Sequence, residues 1–98
     1  MKIEKISEPI AVRKLLAGSN FITVTMGKPI SVKEEDYYCP YSIEYLKKTD
    51  FNYAYGVDQF QAIILTIKKI SIDLSHLEVK DNEKIIWLDH EPGFLGFD

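Results

Sequence analysis

Cys39 is the only cysteine of the chain, so no intrachain disulfide can hold the fold together. That argues against a disulfide-stabilised secreted scaffold and fits a reducing compartment. Basic residues are also in the minority, 12 against 15 acidic. The resulting pI of about 5.3 lies far below that of a typical nucleic-acid-binding domain. The only lysine doublets, Lys47-Lys48 and Lys68-Lys69, are not interleaved with aromatics that could stack on bases. No nucleic-acid partner is therefore expected. Long apolar runs are missing as well. Met1 to Ile6 alternates charged with apolar residues, and no window has the length of a signal-peptide core or a membrane span. The expectation is a cytoplasmic chain without a membrane partner.

Catalytic signatures are equally scarce. The sequence has no phosphate-binding glycine loop, no Gly-x-Ser-x-Gly elbow and no His-Glu-x-x-His. Asp89-His90-Glu91, and Asp73 with His76, bring a histidine beside carboxylates but lack the paired His/Cys spacing of zinc motifs. Neither metal nor cofactor is expected. Lone cysteines usually behave as small buried hydrophobes, so a catalytic pair of Cys39 with His76 or His90 is the minor reading. These absences argue against an enzyme.

What remains is one α+β domain spanning residues 1–98, short enough to hold one modest core. Ile10 to Leu16 and Phe21 to Met26 are β-prone runs joined by Ala17-Gly18-Ser19-Asn20, and they read as a hairpin. Ile22, Val24 and Met26 alternate with Thr23 and Thr25, which places the three apolar residues on a buried face. Lys33-Glu34-Glu35-Asp36 reads as a solvated connection. Tyr37 to Leu46 is a third strand, with Cys39, Tyr41, Ile43 and Tyr45 on one face and Tyr38, Ser42 and Glu44 on the other. Pro40 calls for an edge position or a bulge, because it donates no ladder hydrogen bond. After the polar turn Lys47-Lys48-Thr49-Asp50, Phe51 to Tyr55 is a fourth strand.

Gly56 ends that strand and permits the turn into a helix over about Asp58 to Val79. Asp58 stands as N-cap, and Gln61 three residues later can reach back as in a capping box. Phe60, Ile63, Ile64, Ile67, Ile70, Leu74 and Leu77 form the stripe expected to face the sheet. Leu65 and Ile72 project from the opposite side, where the C-terminal tail or a second subunit could cover them. Lys84 to Leu88 is a last strand, and Phe94 and Phe97 of the tail are expected to pack onto the domain. The fold class is thus α+β, an antiparallel sheet of about five strands in the order ββββαβ with one long amphipathic helix on one face.

The spaced pattern Tyr38-Cys39-Pro40-Tyr41-x-Ile43, Tyr55-Gly56-Val57-Asp58-x-x-Gln61-Ala62, Trp87 and Gly93-Phe94 resembles a family of small bacterial domains of unknown function. The Tyr-Gly-Val-Asp-x-x-Gln-Ala core is its specific part. The resemblance implies a fold and a bacterial origin and assigns no catalytic residue.

All six tyrosines lie on the third and fourth strands, and tyrosine favours interfaces because it joins a large apolar area to a polar tip. The functional expectation is a non-enzymatic module that offers Tyr38, Tyr41, Tyr45, Tyr53 and Tyr55 to a protein partner or to its own copy, as an immunity-type or regulatory inhibitor would. The alternative is a small enzyme or ligand-binding domain with a pocket near Cys39, Tyr55 and Asp58.

Overall fold

The computed structural model describes residues 1–33 and 36–97. β1 (Pro9–Ala17) and β2 (Asn20–Gly27) form the expected hairpin around the two-residue turn Gly18-Ser19. A two-residue strand, β3 (Ile30–Ser31), follows and was not anticipated. The expected connection through Glu34 and Glu35 lies outside the described residues. β4 (Tyr37–Tyr45) and β5 (Lys48–Gly56) make a second hairpin in continuous register from Tyr37↔Gly56 to Tyr45↔Lys48. Its loop is only Leu46-Lys47, with Leu46 at a φ of 56°, the positive value that tight hairpin loops demand. Lys48, Thr49 and Asp50 therefore belong to the strand and not to the turn.

The sheet is antiparallel and six-stranded, and the sequence-based topology needs one correction. β4 is not an edge strand: β5 takes one of its edges, and β2 and β3 share the other. β2 pairs with β4 as far as Met26↔Tyr41, and β3 resumes at Ile30↔Tyr38. Cys39 and Pro40 fall opposite the break. The missing N–H of Pro40 is thus accommodated at an interior position where that ladder is interrupted.

One face of the sheet is covered by two different elements. Helix α1 (Gln59–Ser75) lies over β4 and β5. The C-terminal segment covers the β1 side, where Trp87, Leu95 and Phe97 pack against a core that includes Leu15, Ile22, Val24, Tyr41, Ile70 and Leu74. β6 (Ile85–Ile86) anchors this segment by pairing with Leu16 and Ala17. It is shorter than expected because the backbone turns at once. The His90 N–H donates to the Trp87 carbonyl at 3.2 Å, and Leu88 adopts a φ of 55°.

The helix begins as expected and ends earlier. Asp58 is its N-cap and accepts from the Gln61 N–H at 2.7 Å. Gln61 Oε1 in turn accepts from the Val57 N–H at 2.8 Å, one residue further back than in the usual capping box. At the other end the Ser75 hydroxyl donates to the Ile72 carbonyl at 2.6 Å, and His76 Nδ1 sits 3.0 Å from the same oxygen. Such local side-chain bonds compete with helix propagation, so Leu77 and Val79 lie beyond the helix. Asn82 takes a left-handed backbone, at a φ of 53°, and closes a separate 3-10 turn over Lys80–Asn82.

The helix also faces the sheet on a different row. The buried residues are Ala62, Thr66, Ile70 and Leu74, with Ile63 and Ile67 half-buried beside them. Phe60 is 79% exposed and Ile64 52%. The reason is steric. A Cβ on Gly56 would stand 2.3 Å from the Ala62 backbone nitrogen, so the first turn of the helix rests directly on the end of β5. With Ala62 pointed at the sheet, Phe60, two residues earlier and about 200° around the axis, must point away. The role of Gly56 is therefore close approach; its φ is not among the positive ones.

Gly56→Ala is expected to destabilise the fold by roughly 1–3 kcal/mol, the usual cost of overpacking. Asp58→Ala should cost about 1 kcal/mol through loss of the cap. Urea denaturation of the two variants measures both, and an unchanged midpoint for Gly56→Ala would contradict the packing described.

Candidate functional site

The tyrosines expected to form one surface are divided by strand parity. Tyr41 and Tyr45 point under the helix and are buried, so they leave the surface. The Tyr41 hydroxyl donates to an Asp73 carboxylate oxygen on α1, and the Tyr45 hydroxyl accepts from the Lys80 N–H at 2.9 Å. Burial first, and then the Asp73 carboxylate, push the Tyr41 phenol well above its ordinary pKa. Both rings thus link the sheet to what covers it.

Tyr38, Tyr53 and Tyr55 point the other way and form a contiguous group. Tyr38 and Tyr53 meet edge to face with centroids 6.0 Å apart, and Tyr53 meets Tyr55 at 5.3 Å. Tyr38 and Tyr55 are cross-strand partners. Such edge-to-face pairs lock the rings against one another. Tyr55 remains 49% exposed, and desolvation, then Tyr53, push its phenol up from the ordinary tyrosine pKa. Elsewhere on the same face Val12 of β1 is 58% and Phe21 of β2 61% exposed, with the buried Pro40 and Ser42 of β4 lying between β2 and the tyrosines of β5. Ile6 covers this face at Gly27 and Pro40, next to the tyrosines, where a Cβ on Gly27 would meet Ile6 at 2.6 Å and Pro40 at 3.0 Å.

The free edge of β5 is sealed at its centre. The Tyr53 N–H donates to Asn52 Oδ1 at 2.9 Å, while Lys69 Nζ donates to the Tyr53 carbonyl at 2.9 Å and to Asn52 Oδ1 at 3.2 Å. Both main-chain groups of Tyr53 are thereby occupied, which blunts addition of another strand.

The alternative pocket is not assembled. Cys39 is fully buried under the helix, its Sγ 3.3 Å from the Gly27 carbonyl and its own carbonyl accepting from the Thr66 hydroxyl at 3.2 Å. Burial pushes the Cys39 thiol up, with partial relief from Thr66, the opposite of what a nucleophile needs. Tyr55 lies on the other face of the sheet, and Asp58 is committed to capping. The histidines are engaged elsewhere. His76 ends the helix, and His90 stacks on Trp87 at 4.9 Å. Among the described residues no three His, Cys, Asp or Glu side chains gather as metal ligands would. A groove of about 920 Å³ runs between the end of α1 and the C-terminal segment, past Ser75, Glu78, Glu83 and Lys84. A smaller cavity of about 190 Å³ is walled mainly by apolar side chains, among them Val24, Met26, Ile67 and Phe97.

A family model described as a domain of unknown function (DUF6968) matches residues 11–98. The chain belongs to this family. No curated protein and no solved structure matches it. The DUF6968 match takes in the Cys39-Pro40 pair, the Tyr55-to-Ala62 junction, Trp87 and Gly93-Phe94, so every part of the pattern noted in the sequence lies within it. No helix of the described residues is long and apolar enough to cross a membrane.

Arg13, the only arginine, escaped sequence reasoning. It points inward, stacks over Trp87 at 3.9 Å and Phe97 at 4.8 Å, and donates from Nη1 to the Leu95 and Gly96 carbonyls at 3.0 Å each. The available signal was parity, since Arg13 alternates in phase with the buried Leu15 and Ala17. Gly96 answers it from the tail: a Cβ there would collide with the Trp87 ring at 2.4 Å.

Two measurements test this account. A thiol reagent should label Cys39 slowly in the native protein and rapidly in denaturant; fast native labelling would return Cys39 to the surface. For Tyr41, the folded state keeps its proton to higher pH than an unfolded tyrosine, which ionises near 10. The group is therefore neutral in effect below that pH, and stability falls as pH rises past it. Tyr41→Phe should flatten this alkaline decline while lowering stability at neutral pH, and an unaltered slope would refute the assignment.

Proposed function

We propose that the chain is a non-enzymatic protein-interaction module of a bacterial cytoplasm, of the immunity or regulatory-inhibitor type, that binds a protein partner or its own copy. The observation that carries this reading is the outward sheet face, where Tyr38, Tyr53 and Tyr55 interlock, with Tyr55 half-exposed, on the side away from the helix and the C-terminal segment. Tyrosine clusters at the surface are characteristic of interaction sites, because each ring joins a large apolar area to a polar tip. Rings held by their neighbours lose little side-chain freedom on binding, which favours affinity. The binding module is favoured over an enzyme because Cys39, Tyr55 and Asp58 lie apart and each has a structural task.

Light scattering combined with affinity capture from host lysate tests the reading. The wild-type protein should self-associate or retain a defined partner, and a Tyr53→Ala/Tyr55→Ala variant that keeps its fold by circular dichroism should lose it. A wild-type protein that is strictly monomeric and retains nothing, or retention untouched by the double substitution, would overturn it.

A further inference from the structure

Strand register puts a specific charge pattern on the outward face. β2 is the middle strand, flanked by β1 and β4, with β6 and β5 outside them. Thr23 on β2 has Lys14 of β1 as one cross-strand neighbour and Glu44 of β4 as the other. Among the described residues, these are the only charged side chains at outward positions of the four long strands. Both are exposed. One cation and one anion therefore stand in one row, one strand spacing of about 4.8 Å to either side of the central strand.

That arrangement is self-complementary. A two-fold axis running along β2 between two stacked sheets would bring β1 over β4 of the second copy and leave β2 over its own equivalent. Lys14 then faces Glu44 of the other copy, and by symmetry Glu44 faces its Lys14, which is the reciprocal pairing an isologous interface requires. Sheets stack about 10 Å apart with strand directions within about 30°, a separation that these two long side chains can span. Of the outward β2 residues that fall on the axis, Thr23 and Thr25 are small enough to allow the approach, and the exposed Phe21 at the end of the strand meets its own equivalent. The sealed edge of β5 disfavours the competing mode, strand-to-strand pairing.

We propose that the occupant of this face is a second copy of the chain, joined face to face about β2 with reciprocal Lys14 and Glu44 contacts. This rests on the reading of the outward face as an interaction surface and names the partner. Charge reversal tests it directly. By sedimentation velocity the wild type should dimerise in a concentration-dependent manner. Lys14→Glu and Glu44→Lys, at exposed positions where folding can be verified by circular dichroism, should each weaken dimerisation about tenfold or more, because each opposes like charges twice in the interface. Mixing the two variants should restore the dimer as a heterodimer, since every contact then pairs opposite charges. A monomeric wild type, single variants that dimerise like wild type, or a mixture that stays monomeric would each overturn the proposal. A wild type that is monomeric yet holds a different protein through Tyr53 and Tyr55 would overturn it while leaving the broader interaction reading in place.

Discussion

The rest of the fold depends on the contact between Gly56 and Ala62. With no side chain on one partner and a methyl on the other, the last residue of β5 and the first turn of α1 share space that no larger pair could occupy. Because the interior is close-packed, that contact sets the rotation of the whole helix. Thr66, Ile70 and Leu74 follow Ala62 onto the sheet at four-residue intervals. From the same rotation Thr66 reaches the Cys39 carbonyl, Asp73 reaches Tyr41 and Lys69 reaches the edge of β5. The cap at Asp58 then fixes where the helix begins relative to the contact.

A second constraint is that the helix and the C-terminal segment both lie on one face of the sheet, while the other carries only Ile6 over Gly27 and Pro40. The helix covers the β4 and β5 half and the C-terminal segment the β1 half, with Arg13 and its aromatic neighbours completing the latter. Alternate residues of the same strand therefore meet different fates. Tyr41 and Tyr45 tie layers together through their hydroxyls, whereas Tyr38, Tyr53 and Tyr55 stack among themselves beside solvent. One residue type serves cohesion on one side and surface on the other.

Features determined by neighbours in the chain were legible in the sequence. The first hairpin, the start of the helix at Asp58 and Gln61, and the shared face of Cys39 and Ile43 all follow from local spacing. Period-two alternation had already set Tyr38 apart from Tyr41 and Tyr45; what it could not supply was which face would be covered, a property of the whole sheet. The helix stripe was misjudged because large side chains such as Phe60 and Ile64 draw attention, while the close approach at Gly56 selects small ones. β3 and the interruption opposite Pro40 arise from two segments sharing one edge of β4, and Arg13 finds its partners 82 and 83 residues away. Nonlocal pairings of this kind leave no periodic trace. Of the candidate site, the identities of Tyr38, Tyr53 and Tyr55 were visible, and their separation from the other tyrosines emerged only with the layers.

The grip of Arg13 on Leu95 and Gly96 has a consequence for how the protein comes into being. The second hairpin and the helix are built from residues close in sequence and can assemble as soon as they are synthesised. The β1 side of the core stays without its cover until Leu95 and Gly96, 82 and 83 residues beyond Arg13, have emerged from the ribosome, so Leu15 and Ala17 wait for them with apolar surface open to water. Long-range closures of this kind are slow and leave nascent chains prone to unwanted association. The lone arginine, charged on that unfinished face, keeps it from being uniformly apolar until the aromatic rings of the tail arrive to enclose it, which its weakly hydrated guanidinium allows.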